Sequence, residues 1–170
     1  MADRVYHVLF LCAGNSARSL LAESALRRLG GDRFVAHSAG SHPTGRPHPL
    51  ALGLLRELGD DVAPLRSKSW DEFSGPDAPA LDFVFTVCDS ARGETCPVWS
   101  GAPVTAHWGA DDPAAASGDE LQQLEVFRRV HHELETRIRG FLALPLEALD
   151  AATLKQRLDA LGQAAAPGTT

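Results

Sequence analysis

The feature that most constrains this chain is the stretch VLFLCAGNSARS, which runs from Val8 to Ser19. Its first half is uninterruptedly apolar, as is typical of a strand buried on both faces. The apolar run stops at Cys12, and small or polar residues then surround Arg18. A strand, a loop of small residues and a helix in this order predict backbone N–H groups converging at a helix N-terminus. Such a loop suits a tetrahedral oxyanion.

Strand-like and helix-like segments alternate along the rest of the chain. Strands are predicted over residues 5–11, 34–38, the run LDFVFTVC and the run PVTAHW, and helices over residues 18–29, 50–58 and 119–142. The alternation predicts an α/β fold, a doubly wound, four-stranded parallel sheet flanked by helices on both faces. Ligands of such sheets bind beyond the carboxyl ends of the strands. We therefore expect Cys12, Cys88 and the residues after Trp108 to meet at one edge.

Length and charge narrow the class of protein. A chain of 170 residues suits one compact domain, predicted over residues 1–144, followed by a C-terminal helix and loose tail over 145–170. The net charge of −6 and the lack of a basic run argue against a nucleic-acid partner. The pattern shows neither a membrane span nor a signal peptide, so we expect a cytoplasmic protein without a membrane partner. In a reducing compartment, three cysteines predict catalysis, redox exchange or metal binding.

Cys12 is the candidate nucleophile. The predicted oxyanion-binding loop comprises Ala13, Gly14, Asn15, Ser16, Ala17 and Arg18. The guanidinium of Arg18 suits two oxygens of a tetrahedral anion, and the same donors with the Ser19 hydroxyl would stabilise a thiolate. We therefore expect the Cys12 pKa to lie below the roughly 8.5 of an unperturbed thiol. A buried structural cysteine would leave the surrounding loop composition unexplained.

The loop LCAGNSARS resembles the phosphate loop of low-molecular-weight protein tyrosine phosphatases and of the arsenate reductases that share their fold. The segments SAGSHPTGRPHP, SKSW, VFTVCDSARGETCPVWSG and AHWGADDPA are similar to the thioredoxin-coupled arsenate reductase branch, and the resemblance extends from Val5 to Gly140. It implies arsenate as substrate, with phosphate or sulfate competing, and arsenic detoxification as the role. It also implies Asp112 as the general acid, with the neighbouring Asp111 as the alternative register.

Three thiols match the three roles of such a reductase. Cys12 would attack arsenate, Cys88 would attack the Cys12 sulfur, and Cys96 would take over a disulfide that thioredoxin or a similar dithiol reduces. Two departures matter. Ala17 stands where relatives have a second loop cysteine, which favours Cys88 as the resolving thiol. The interval from Cys88 to Cys96 is one residue longer than in relatives, which leaves the reductant open.

The remaining hypotheses concern cations and alternative activities. By resemblance, Asn15, Glu23, Ser38 and Asp61 would gather around a potassium ion, and no tightly bound cofactor is expected otherwise. A phosphatase using Cys12 and Asp112 is the main alternative, although DDPAAASG lacks the aromatic residues expected beside a phenol ring. A zinc-binding module through Cys88, Cys96 and His107 is the minor alternative, with a spacing that fits no compact knuckle.

Overall fold

The computed structural model describes residues 4–87, 99 and 101–164. Within these residues, four strands lie at Tyr6–Cys12 (β1), Phe34–Gly40 (β2), Phe83–Thr86 (β3) and Val104–His107 (β4). The same residues contain four α-helices, at Arg18–Gly30 (α1), Pro49–Glu57 (α2), Glu120–Leu142 (α3) and Ala151–Ala164 (α4). Short 3-10 helices lie at Gly31–Arg33, Trp70–Phe73 and Pro113–Ala115.

The four strands form one parallel sheet in the order β2-β1-β3-β4. This confirms the predicted four-stranded, doubly wound α/β fold. The order reverses beside β1, the central strand, whose residues Val8, Leu9, Phe10 and Leu11 are almost completely buried. Burial on both faces explains why β1 shows no alternation of polar and apolar residues.

Two apolar clusters cover the two faces of the sheet. The larger cluster packs Val8 and Phe10 against residues from all four α-helices, with the Trp108 ring stacked on Phe85 at 3.9 Å between centroids. The smaller cluster lies on the opposite face and packs Leu9 and Leu11 against Phe73 of the Trp70–Phe73 helix. Both faces of the sheet are therefore covered by apolar clusters.

The C-terminal helix α4 packs on the main core. Leu154 and Leu158 are buried, and the indole Nε1 of Trp108 donates to the Leu158 carbonyl at 2.9 Å. Lys155 donates to the Thr105 carbonyl of β4 at 2.8 Å. These contacts fix α4 along β4, and residues 165–170 of the predicted tail lie outside the described residues.

Helix ends agree with local sequence signals. In α3, Asp119 and Gln122 form a reciprocal capping box, in which each side chain accepts from the backbone N–H of the other. In α2, the Nδ1 atom of His48 accepts from the Leu50 N–H at 3.1 Å, and Pro49 occupies the first turn. The cap at His48 matters for the site because the same residue also contacts the loop after Cys12.

Candidate active site

Cys12 is the last residue of β1, and its side chain is buried at 4% exposure. It lies opposite Gly40 in the register of β1 and β2. A Cβ atom at position 40 would lie 2.4 Å from the Ala13 carbonyl oxygen and 2.8 Å from that of Cys12. The turn after the cysteine therefore passes directly over Gly40, where only a residue without a side chain fits.

Three carbonyl groups of the loop accept hydrogen bonds from the backbone of residues 42–48. The N–H groups of His42, Thr44 and His48 donate to the carbonyls of residues 13, 14 and 16 at 2.9, 3.0 and 2.8 Å. With the oxygens held toward residues 42–48, the peptide N–H groups of the loop are oriented the other way. This is the arrangement by which a backbone loop binds an anion.

Asn15 sets the shape of the loop. Its φ of 47° lies in the left-handed region, which asparagine tolerates better than other side chains. The side chain is fully buried, with Nδ2 donating to the Ser19 hydroxyl at 2.8 Å and Oδ1 accepting from the Lys68 N–H at 2.8 Å. Because Ser19 accepts from the amide, its own hydroxyl hydrogen remains to donate. The contribution of Ser19 to the Cys12 thiolate stays a prediction.

Arg18 begins α1 and reaches across the carboxyl edge of the sheet. Its Nη1 donates to the Ala110 carbonyl at 3.0 Å, and its Nη2 lies 3.6 Å from an oxygen of Asp112. Its buried Nε–H has no acceptor within residues 4–87, 99 and 101–164. A buried charged donor without an acceptor is costly in a stable core. An oxyanion in the loop would supply the acceptor.

The two aspartates differ in their surroundings. Asp112 caps the short Pro113–Ala115 helix, accepting from the Ala114 N–H at 3.0 Å, and its side chain is 43% exposed beside Arg18. Asp111 is 75% exposed and pairs with Arg129 at 3.2 Å. Of the two carboxylates, that of Asp112 is the one beside the guanidinium of the loop.

The other two cysteines, Cys88 and Cys96, lie outside the described residues. The chain up to Val87 is described, and the Val87 N–H donates to the Leu11 carbonyl at 2.8 Å. Leu11 and Val87 are the residues immediately before Cys12 and Cys88. The Ala110 N–H in turn donates to the Val87 carbonyl at 3.1 Å, which connects this pair to the carbonyl that holds Arg18.

The zinc alternative involves His107 at the end of β4. Its Nδ1 lies 2.7 Å from the Thr86 hydroxyl. Among residues 4–87, 99 and 101–164, no group of three histidine, cysteine or acidic side chains has the geometry of a metal site. The two cysteines of the zinc hypothesis are not among these residues, so the hypothesis itself stays a prediction.

A buried polar cluster lies behind the loop, on the side away from Arg18. It consists of Asn15, Glu23, Ser38 and Lys68, and we call it the support cluster. The Ser38 hydroxyl donates to Glu23 at 2.5 Å. The Lys68 ammonium donates to the Ser38 carbonyl at 2.8 Å and lies 3.9 Å from the same Glu23 oxygen. Burial lowers the pKa of Lys68, and the negative charge of Glu23 opposes that shift.

The support cluster corrects the predicted potassium set. Asp61 does not join Asn15, Glu23 and Ser38, because its exposed carboxylate accepts from the Ala63 N–H at 3.0 Å. The side-chain oxygen of Asn15 accepts from the Lys68 N–H at 2.8 Å. The ammonium of Lys68 lies beside Ser38 and Glu23, where the prediction placed the metal ion. The four residues therefore do not fit potassium as a set.

Two of these structural residues were missed in the sequence analysis. Gly40 and Lys68 both lie in segments whose resemblance was noted, SAGSHPTGRPHP and SKSW, but neither was assigned a role. A glycine directly after a predicted strand was the available signal for Gly40. No local pattern identifies Lys68, since its partners Ser38 and Glu23 in the support cluster are 30 and 45 residues away in the sequence.

Comparison with known proteins places this geometry in a family. Residues 7–157 match the profile of the low molecular weight phosphotyrosine protein phosphatases. The chain belongs to this family. The match extends beyond Gly140, where the sequence resemblance was expected to end, and includes the first half of α4.

Within the family, similar curated proteins are arsenate reductases. The protein of Halalkalibacterium halodurans is 37% identical over 134 residues, covering 79% of this chain and 93% of the relative. That of Bacillus subtilis is 35% identical over the same length and the same shares. Both are named arsenate reductase.

Solved structures agree with the sequence comparison. An arsenate reductase in a phosphate-binding state superposes with a TM-score of 0.67 at 28% identity, covering 82% of this chain and 98% of the other. A thioredoxin-dependent arsenate reductase of Corynebacterium glutamicum gives a TM-score of 0.58 at 26% identity, covering 82% of this chain and 61% of that longer chain. A low-molecular-weight tyrosine phosphatase of T. tengcongensis is also similar, with a TM-score of 0.57 at 25% identity.

Among residues 4–87, 99 and 101–164, no helix is both long and apolar enough to cross a membrane.

Proposed function

We propose that this protein reduces arsenate to arsenite through a relay of three thiols. The single observation that carries the proposal is the 2.8 Å hydrogen bond between Val87 and Leu11. It joins the residues that directly precede Cys88 and Cys12 in the sequence, which supports a shared role for the two thiols at this edge of the sheet. A phosphatase needs one thiol at this edge, whereas a reductase needs a second one nearby.

The first step uses the loop and the acid. The Cys12 thiolate attacks the arsenic atom of a bound arsenate, forming a sulfur–arsenic bond and expelling one oxygen as water. Arg18 and the loop N–H groups hold the remaining oxygens. Asp112 supplies the proton to the leaving oxygen, a role supported by its place 3.6 Å from Arg18.

The second step is the reduction itself. The Cys88 thiolate attacks the Cys12 sulfur, a disulfide forms, and the electron pair of the sulfur–arsenic bond stays on arsenic. Arsenic is thereby reduced from the +5 to the +3 state and leaves as arsenite. Cys96 then attacks Cys88, releasing the Cys12 thiolate and leaving a Cys88–Cys96 disulfide. An external dithiol reduces that disulfide, with thioredoxin the proposed partner and the cytoplasm the proposed compartment.

The relay is tested by measuring arsenite formed from arsenate with thioredoxin, thioredoxin reductase and NADPH. The wild-type protein should turn over continuously. Cys12→Ser should form no arsenite, because the attacking sulfur is missing. Cys96→Ser should form about one arsenite per protein molecule and then stop, because no Cys96 thiol is present to attack the Cys12–Cys88 disulfide.

A phosphatase assay on the same preparations separates the two activities of the family. Steady hydrolysis of an aryl phosphate by wild-type protein, together with no arsenite formation, would contradict the proposal. Full multiple turnover by Cys96→Ser would contradict the three-thiol relay while leaving Cys12 as the nucleophile.

A further inference from the structure

We propose that the side chain of Lys68 is the built-in cation of the support cluster, so that oxyanion binding by this protein needs no potassium. Lys68 is a positioning residue in this proposal, since it acts on the loop through Asn15, Ser38 and Glu23. The inference concerns oxyanion binding and stability, and it stands apart from the redox relay.

The ammonium of Lys68 is surrounded by oxygen atoms. Lys68 Nζ donates to the carbonyls of Ser38 and Arg66 at 2.8 and 2.9 Å, lies 3.5 Å from the Ser38 hydroxyl, and lies 3.9 Å from Glu23. All four partners are oxygen atoms, and one carries the charge of a carboxylate. Oxygen ligands of this kind are those that hard cations prefer.

Lys68 and Glu23 are both buried, at 8% and 3% exposure. A buried carboxylate is stable only when it is paired and hydrogen-bonded. Glu23 is held by Lys68, by the Ser38 hydroxyl and by Arg27. The ammonium also donates to two backbone carbonyls, those of Ser38 and Arg66, whereas Arg27 donates to one.

Hydrogen bonds of its backbone connect Lys68 to the residues that position Cys12. The Lys68 N–H donates to Asn15 Oδ1, and the Lys68 carbonyl accepts from the Gly40 N–H at 2.9 Å. Asn15 holds the left-handed turn of the loop, and Gly40 lies beneath Cys12. The side chain of Lys68 fixes a backbone segment that in turn fixes both residues.

A cavity gives small ions access to the support cluster. Its volume is about 300 Å³, and its lining includes Glu23, Arg27, Arg66 and Lys68. Removing the ammonium would leave the Glu23 carboxylate and the Ser38 and Arg66 carbonyls beside a space that a small cation can reach. A variant without the ammonium should therefore accept a soluble cation that the wild-type protein excludes.

The test compares Lys68→Met with the wild-type protein at equal ionic strength in potassium chloride and in choline chloride. Arsenate or phosphate affinity is measured by calorimetry, and the melting temperature is measured in the same buffers. The wild-type values should not depend on potassium. Lys68→Met should lose about tenfold in oxyanion affinity in choline, a loss of the size seen when supporting residues behind a binding group are removed. Potassium should restore most of it.

The chain offers a matched control, because it has only two lysines and both donate to backbone carbonyls. Lys155 is exposed and lies on α4, so Lys155→Met should match the wild type in both salts. The double variant Lys68→Met/Glu23→Gln should lose the response to potassium, because the carboxylate that would hold the ion is gone.

Three results would overturn the proposal. One is potassium-dependent affinity or melting of the wild-type protein, which can be measured even if Lys68→Met fails to fold. Another is wild-type affinity of Lys68→Met in choline. The third is a loss in Lys68→Met that potassium does not reverse, which would mean that the aliphatic packing of the lysine matters and its charge does not. The melting temperature needs no substrate, so failure here is distinguishable from failure of arsenate reduction.

Discussion

The polar side chains on the two sides of the loop after Cys12 differ in how completely they are hydrogen-bonded. On the substrate side, the buried Nε–H of Arg18 has no acceptor within the described parts of the chain, and Asp112 is 43% exposed. On the support side, no buried side-chain nitrogen or oxygen atom of Asn15, Glu23, Ser38 or Lys68 lacks a partner among the described residues, although Nη1 of Arg27, which pairs with Glu23, does.

The difference indicates how this loop divides stability and function. A donor left without an acceptor lowers the stability of the empty protein but is available to a ligand, so it favours binding. The hydrogen-bonded support cluster holds the left-handed Asn15 and the close approach to Gly40, both of which are unfavourable alone. Changes on the substrate side should therefore alter activity with little effect on stability, whereas changes on the support side should alter stability together with oxyanion affinity.

The largest expected effect concerns the acid on the substrate side. Asp112→Asn should lower kcat of arsenate reduction about a hundredfold, or about 2.7 kcal/mol, because the amide supplies no proton to the leaving oxygen. Asparagine is as good a helix cap as aspartate, so the melting temperature should hardly change. Asp111→Asn is the control and should stay within about twofold of wild type. The reverse pattern would place the acid at Asp111.

Arg18→Lys should have the second largest effect. An ammonium replaces the planar fork by a point charge, and the affinity for phosphate as a competing anion should fall about thirtyfold, or about 2 kcal/mol. The melting temperature in anion-free buffer should stay the same or rise, because the buried Nε–H without an acceptor is removed. Unchanged inhibition by phosphate would contradict the role given to Arg18.

Gly40→Ala should act on the support side. The new Cβ would lie 2.4 Å from the Ala13 carbonyl oxygen, and the backbone must move to admit it. We expect the free energy of unfolding to fall by about 1.5 kcal/mol in urea denaturation. Gly53→Ala in α2 is the control, since a Cβ there meets nothing within 4 Å and alanine favours a helix. Equal stabilities of the two variants would refute the close approach.

The smallest expected effect is a pH dependence near the support cluster. Burial, together with the charges of His7, Lys68 and Arg27, lowers the pKa of His37 from 6.5 to about 4. The unfolded chain therefore binds a proton that the folded protein does not, so stability is complete above pH 6.5 and falls as pH drops toward 4. The loss should be about 1 kcal/mol once screening by solvent is allowed for.

Urea denaturation at several pH values checks this expectation. His37→Gln should flatten the decline between pH 6.5 and 4, whereas replacing the exposed His132 by glutamine should leave it in place. An unchanged decline in His37→Gln would assign the effect to other groups.

The parts that could be predicted from the sequence are those decided by neighbours in the chain. The apolar run before Cys12 is buried on both faces, and the spacing after Arg18 gives α1, because each pattern reflects one strand or helix packing on one core. The parallel pairing of the four strands then follows from the alternation of strands and helices. These features needed no knowledge of distant contacts.

The support cluster could not be predicted in the same way. Lys68 reaches Ser38 and Glu23 across 30 and 45 residues of sequence, and Asn15 accepts from the backbone of Lys68 across 53 residues. The resemblance therefore suggested a bound ion and Asp61 as a ligand, where the fold instead places a lysine side chain. Long-range packing of a flexible side chain leaves no periodic signal in the sequence.

The central claim is that Cys12 is a thiolate at neutral pH, and the pH dependence of its alkylation tests this most directly. The measurement uses Cys88→Ser/Cys96→Ser protein, so that iodoacetamide has one thiol to modify, and mass spectrometry follows the product. The account predicts a Cys12 pKa well below the roughly 8.5 of an unperturbed thiol, and slower alkylation when phosphate fills the loop. A pKa at or above that value, unaffected by phosphate, would contradict it.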